Sequence, residues 1–199
     1  MKIVLASKSK VRKDILTEHN INCEVIHSNV DEDPIKDSLI AEGATPEIVS
    51  KNLAELKANK VSSNMDDVLV LGADSVIDLN GEIISKPKSR DEAFNILKKM
   101  KGKSHFLISS ACIFKKGNMI WNHTDKAELV MKDFNDGELK NYLSKIPDKN
   151  LYAYNVYQIE GEGKKLFSEI KGDKNTIMGL PIIKIKSYLQ EHEWKNFSW

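Results

Sequence analysis

Eight polar side chains carry the chemistry open to this chain: Ser7, Ser9, Arg12, Glu32, Lys57, Asp74, Lys86 and Gln158. Two acids and three bases, gathered in one place, suit a polyphosphate that travels with a divalent ion. The cations would neutralise phosphate oxygens, the carboxylates would hold the metal or take a proton from water, and in-line attack at phosphorus would follow. Glu32 and Asp74 are the metal candidates, because carboxylate oxygens suit Mg²⁺ or Mn²⁺. The chain has only two arginines, Arg12 and Arg90, against a strong preference for lysine. An arginine at residue 12 therefore fits a site that wants a planar, bidentate fork. No Gly-x-x-x-x-Gly-Lys-Ser/Thr loop is present, which disfavours a P-loop NTPase or kinase.

These groups need elements to position them. The stretch from Asp67 to Ile77 holds a short run rich in Val and Leu, closed by Gly72 and Ala73, and reads as a strand buried on both faces. Asp74 is then expected at the carboxyl end of that strand, where open α/β sheets place their ligands. The turn signal Asn80-Gly81 leads to a returning strand, Ile83-Ile84, that delivers Lys86 ahead of Pro87.

At the start of the chain, residues 2–6 read as a strand running into a helix capped by Ser9, with Val11, Ile15 and Leu16 as its apolar stripe. Its first turn carries Lys10, Arg12 and Lys13, the wrong sign for a helix N-terminus. A phosphate docked on the exposed N–H groups, with Ser7 and Ser9 donating and Arg12 clamping, would compensate. The competing reading is a solvated basic turn.

Further on, 22–28 reads as a strand and Val30-Asp31-Glu32-Asp33-Pro34 as an acidic loop. Thr45-Pro46 opens a helix to about Val61 with Val49, Leu53 and Leu56 as its stripe and Lys57 at the stripe's edge. Ser89 to Glu92 has the form of a capping box, and Ala93, Ile96, Leu97 and Met100 continue that helix. Ser104 to Phe114 and Met119 to Met131 form a long hairpin turning at Lys116-Gly117-Asn118, with His105 and Ser109 on one face of the first strand. Asn135 to Ser144 reads as a helix and Pro147 to Asn150 as a turn. Residues 154–159, 165–170 and 175–178 read as short strands, and Gly179-Leu180-Pro181 precedes a last helix. The alternation specifies a mixed α/β sheet.

With 199 residues the chain is near the size of one domain, or of one domain with two lobes, and long enough to bury a core. A net charge of +1 excludes the sequence-independent grip of a strongly basic nucleic-acid binder. Cys23 and Cys112 have no metal-ligand spacing and read as buried thiols of a reduced compartment. No stretch approaches the roughly 20 apolar residues of a membrane span, and Ile3 to Ala6 is too brief for a signal-peptide core. A cytoplasmic protein with neither membrane nor nucleic-acid partners is expected, and pairing as a homodimer is left open.

Seven segments in order now resemble the Maf family: Leu5 to Arg12, Val30-Asp31-Glu32, Leu56-Lys57-Ala58, Gly72-Ala73-Asp74-Ser75, Ser85-Lys86-Pro87, Gly102-Lys103-Ser104-His105 and Gly179-Leu180-Pro181. The resemblance covers residue 3 to the last helix and implies one Maf-like domain over 1–199. Its fold would be Maf/ITPase-like α/β, a mixed twisted sheet flanked by helices, elongated, with two lobes around a central cleft. It implies a nucleoside triphosphate pyrophosphatase, metal-dependent, that cuts between the α- and β-phosphates and gives a nucleoside monophosphate and pyrophosphate. By the same resemblance Asp74 is the proton acceptor, Glu32 the second acid, Arg12 the motif arginine, and Lys57 and Lys86 the phosphate-facing lysines. Ser7, Ser9, Ser75 and Gln158 join them as substrate-binding residues, and Ser109 stands where the family commonly has threonine.

Departures from the family pattern are local. Lys10 and Val11 replace the proline and first arginine of Ser-x-Ser-Pro-Arg-Arg, and Ser85 replaces the glycine of Gly-Lys-Pro. Residues 155–161 match neither the dTTP/UTP branch nor the 7-methyl-GTP branch, which leaves the base open. The rival readings are a non-catalytic nucleotide sensor, since Maf relatives are linked to septum formation, and a pyrophosphatase for inosine-type nucleotides.

Overall fold

The computed structural model describes residues 2–192, apart from the side chains of Ala153 and Tyr154. Its first half runs β1 (Lys2–Leu5), α1 (Lys10–Glu18), β2 (Cys23–Val25), α2 (Glu32–Ala41), α3 (Pro46–Ser62), β3 (Val68–Leu79) and β4 (Glu82–Ile84). Then come α4 (Arg90–Met100), β5 (Ser104–Lys115), β6 (Asn118–Met131), α5 (Asp136–Ser144) and α6 (Asp148–Tyr154). A 3₁₀ turn (Glu162–Leu166), β7 (Phe167–Lys171), α7 (Lys174–Ile177) and α8 (Ile182–Glu191) complete the described residues. Seven strands form one mixed sheet in the order β2-β1-β3-β5-β6-β7, with β4 added on β3. The expected mixed α/β sheet flanked by helices is what the chain forms.

Two compact units divide the residues. The first holds Met1–Ser75, Ile108–Lys126 and Asp173–Trp199; the second holds Val76–Leu107 and Ala127–Gly172. In the first, β1 pairs in parallel with β2 and with β3, Leu5 lying opposite Leu71. Successive side chains of a strand point to opposite faces, and the two faces are filled separately. Ile3, Leu5, Leu69, Leu71 and Ala73 pack with Ile15 and Leu16 of α1 and with Ile182, Ile185 and Leu189 of α8. Val4, Val68 and Val70 pack with Ala54, Ala58 and Val61 of α3. Helices on both faces explain why the start of β3 is continuously apolar. Cys112 is buried and Cys23 half-buried, and both are free thiols. Among the described residues no helix is long and apolar enough to cross a membrane.

In the second unit β4 returns antiparallel on the far end of β3, Ile77 opposite Ile84, from a turn in which Asn80 and Gly81 both have positive φ. β7 pairs antiparallel with β6, with an irregularity between Val130 and Met131. Arg90 donates to the carbonyls of Leu143 and Ile146, both at 2.8 Å, and so ties α4 to the end of α5. His105 is buried, its Nε2 2.7 Å from the Tyr157 hydroxyl and its ring against those of Tyr157 and Phe167. Burial pulls it down to about 4, so it is a neutral core residue at physiological pH.

Several local expectations are corrected. The acidic segment at 30–34 is not all loop: α2 starts at Glu32, because acids in a first turn suit the helix dipole and Pro34 there needs no N–H partner. Pro147 to Asn150 does not stop at a turn; it opens α6, with the Asn150 and Leu151 amides on the Pro147 carbonyl. Residues 154–159 form no strand: Tyr154 ends α6, Asn155 at φ 78° breaks any extension, and the Gly161 amide turns back to the Gln158 carbonyl. Residues 175–178 are not a strand either: the Asp173 carboxylate accepts the Thr176 amide at 2.9 Å and caps α7. Of the segment 165–170, only 167 onward is strand. The capping box lies not at Ser89, where Glu92 reaches the Lys88 amide instead, but at Asn135 and Glu138.

Gly72 marks the close approach of α3 to β3. A Cβ there would stand 2.3 Å from the Ala54 carbonyl oxygen and 2.7 Å from the Ala58 methyl. Gly72→Ala is expected to destabilise the protein by about 1–3 kcal/mol through overpacking. The urea midpoint measures it; an unchanged midpoint would mean that α3 can shift without loss.

Candidate active site

Asp74 lies three residues beyond Leu71, where the pairing of β1 with β3 ends. The expectation that it would end the strand is corrected, because β3 continues to Leu79 and recruits β4. Asp74 shares the α3-facing side of β3 with Val68, Val70 and Gly72. The small residues Ala54, Ala58 and Gly72 let α3 come close, and Ser50 Oγ donates to the Asp74 carbonyl at 3.1 Å. Lys57, on the same face of α3, is thereby turned inward.

Its ammonium meets two acids. Lys57 Nζ donates to Asp74 Oδ1 at 2.7 Å and lies 2.9 Å from Glu32 Oε2. The side chains of Lys57 and Asp74 are only 6% and 8% exposed, while that of Glu32 is 47% exposed. An ammonium has three N–H donors, and these carboxylates take two. Burial pushes the Asp74 carboxyl above its ordinary value; Lys57 and then Arg12 pull it back, and Glu32 adds to the rise.

Arg12 stands at the start of α1, whose N-cap Ser9 accepts the Arg12 amide at 3.3 Å. Its guanidinium is held on three sides. Nε donates to the Gly179 carbonyl at 2.9 Å, Nη1 to Ser7 Oγ at 3.2 Å and Nη2 to Ser75 Oγ at 3.2 Å. Ser7 Oγ also accepts the Ser9 amide at 3.2 Å, which leaves its hydroxyl proton as the group it can offer an anion. Burial lowers the Arg12 pKa, the carboxylates of Asp74 and Glu32 raise it, and an arginine keeps its charge regardless. The two replaced family positions have local uses: Lys10 pairs with Asp14 at 3.1 Å on the surface, and Val11 packs against the core.

The structure thus brings Ser7, Ser9, Arg12, Glu32, Lys57, Asp74 and Ser75 together in the first unit. Lys86 and Gln158 belong to the second, where Lys86 follows β4 and is exposed, and Gln158 Oε1 accepts from Asn150 at 3.4 Å. Sequence reasoning missed the carbonyls of Gly179 and Thr176, for it took Gly179-Leu180-Pro181 as a break and a family segment but gave no residue of it a role. Backbone acceptors leave no residue-type signal. The positive φ that a glycine before Leu-Pro suggests, here 107°, was the available clue.

The class so defined is an α/β protein whose charges of both signs collect just beyond the parallel β1–β3 ladder. This chain belongs to the Maf family: the family model for Maf-like protein matches residues 2–192. A nucleoside triphosphate pyrophosphatase of Pelagibacter ubique is 65% identical over 188 residues, 94% of this chain and 96% of that protein. A 7-methyl-GTP pyrophosphatase of Brucella suis is 36% identical, covering 97% of each. The Ham1 protein structure of Staphylococcus aureus is similar in fold, with a TM-score of 0.52 at 16% identity, covering 96% of this chain and all of that one.

Asp74 has a folded pKa above its ordinary one, so its own titration favours the folded state at acid pH and loses that contribution as pH rises through the raised value. Lys57→Met removes the largest opposing attraction and raises the value further. The stability deficit of this variant is expected to be small at acid pH and to grow toward about 3–5 kcal/mol at neutral pH. Urea unfolding at several pH values measures it, and a deficit that does not vary with pH would exclude the coupling.

Proposed function

We propose that this chain hydrolyses a nucleoside triphosphate, standard or modified, between its α- and β-phosphates, giving a nucleoside monophosphate and pyrophosphate. The observation that carries this reading is the Lys57 ammonium bound at once by Asp74 and Glu32, both of which also interact with the Arg12 charge. Membership of the Maf family and the names of its relatives supply the reaction class.

Asp74 takes the proton of the attacking water. A carboxylate whose pKa is raised by burial is a better base than one in solvent, which suits it to this work. The water oxygen bonds to phosphorus as the α–β bridging oxygen leaves with pyrophosphate, and the proton ends on Asp74. Arg12, the hydroxyl of Ser7 and the N-terminus of α1 hold phosphate oxygens in place. Lys57 keeps the two acids oriented.

A divalent ion, Mg²⁺ or Mn²⁺, fits the donor set, because Lys57 brings two hard carboxylates to one point. Among the described residues no group of three or more His, Cys, Asp and Glu side chains could hold a metal. Glu32 and Asp74 would hold it. When bound it would supply charge neutralisation at the phosphate and a lowered pKa for bound water.

Asp74→Asn is expected to lower kcat by about 10²–10⁴-fold with nucleotide binding largely kept. Pyrophosphate release is measured over a panel of canonical nucleotides, inosine triphosphate and 7-methyl-GTP with Mg²⁺ or Mn²⁺. Turnover retained in the variant would remove Asp74 as the base. Nucleotide binding without release by the unaltered protein would remove the reaction.

A further inference from the structure

Ser109 is fully buried in β5, with its hydroxyl between two oxygens. It donates to the Thr176 carbonyl at 2.7 Å and lies 2.8 Å from Ser75 Oγ. A hydroxyl has one proton. Since that of Ser109 goes to Thr176, the proton between the two serines must come from Ser75; otherwise two oxygens would face each other at hydrogen-bond distance with nothing between them. Ser75 has then given its proton away, and its oxygen accepts Arg12 Nη2. The Gly179 carbonyl, 3.3 Å from Ser75 Oγ, is a second and longer acceptor for the same proton, and the 2.8 Å partner takes it.

A directed chain results: Arg12 N–H to Ser75, Ser75 to Ser109, Ser109 to the Thr176 carbonyl. Its far end is fixed, because Thr176 is tied by its amide to Asp173 and by its hydroxyl to Asp125, both at 2.9 Å. Hydrogen bonds aligned in one direction polarise each other. The Gly179 carbonyl takes Arg12 Nε on the same edge of the guanidinium as Ser75 takes Nη2. A Cβ at residue 179 would stand 3.1 Å from Ser75 Oγ and 3.5 Å from Arg12 Nε, so this edge is closed by close-fitting backbone. With Ser7 on Nη1, three of the five N–H donors are committed, and one remains on each terminal nitrogen.

We infer that Ser75 and Ser109 are positioning residues, which together with the Thr176 and Gly179 carbonyls fix the guanidinium plane of Arg12 so that its two remaining N–H groups meet one phosphate. The inference rests on the reading of Arg12 as a polyphosphate ligand, and it changes the part of Ser75 from substrate contact to support. It also gives residue 109 a reason to be Ser or Thr: the position needs a hydroxyl that can accept from Ser75 and donate to a carbonyl.

The test uses inorganic tripolyphosphate with the full chain and needs no turnover. Calorimetry on Ser109→Ala is expected to show binding about tenfold weaker than in the unaltered protein, and Ser109→Thr to restore it. In an Arg12→Ala background, Ser109→Ala should add no further loss, since the relay would have nothing left to orient. The chain's second arginine can be removed as Arg90→Lys, which leaves a single Nε resonance in a ¹⁵N spectrum. That resonance is expected to show restricted guanidinium rotation that Ser109→Ala releases. An equal loss with and without Arg12, an unchanged resonance, or no tripolyphosphate binding by the unaltered protein would each overturn the inference. Absence of nucleotide hydrolysis with these results intact would overturn the proposed reaction and leave the relay standing.

Discussion

The arrangement of this site depends on one buried cation. An ammonium removed from water is costly unless oppositely charged groups replace its hydration, and Lys57 meets that condition with Asp74 and Glu32. Each partner constrains a different element. Asp74 requires α3 to lie close against β3, which Gly72, Ala54 and Ala58 permit by having little or no side chain. Glu32 requires α2 to begin where it does, with its acids in the first turn. A lysine at the edge of an apolar stripe is ordinarily a surface residue with its head in water; here packing has left it nowhere to reach but inward.

Arg12 answers a different constraint. Lysine is a point charge on a flexible stem, whereas arginine presents a rigid fork whose direction can be set. Both arginines of the chain are used in that way. Arg90 spends its fork on the carbonyls at the end of α5 and on Asp148. Arg12 divides its own between fixed protein acceptors and donors left to face outward. In a chain that otherwise prefers lysine, arginine stands where orientation matters as well as charge.

Parts of this were written in the residues. The buried β3, the Ser9 and Thr45 caps, the Asn80-Gly81 hairpin and the long hairpin at Lys116 follow from local rules, since each depends on neighbours in sequence. Misreadings fell where weak β-propensity met a local cap or a left-handed residue, as at Asp173 and Asn155. Those signals are single residues easily outvoted by the apolar run beside them.

The sequence by itself determined the mixed α/β sheet, the identity of the charged groups and their order along the chain, because apolar period and residue chemistry are local properties. Only the tertiary structure decided which charges meet. Lys57 and Asp74 are joined because a glycine and two alanines bring a helix onto a strand. Arg12, Ser75, Ser109, Thr176 and Gly179 are joined because four separate segments meet in one hydrogen-bond network. Two of those partners act through backbone carbonyls, which every residue possesses, and so nothing in their side chains announced them.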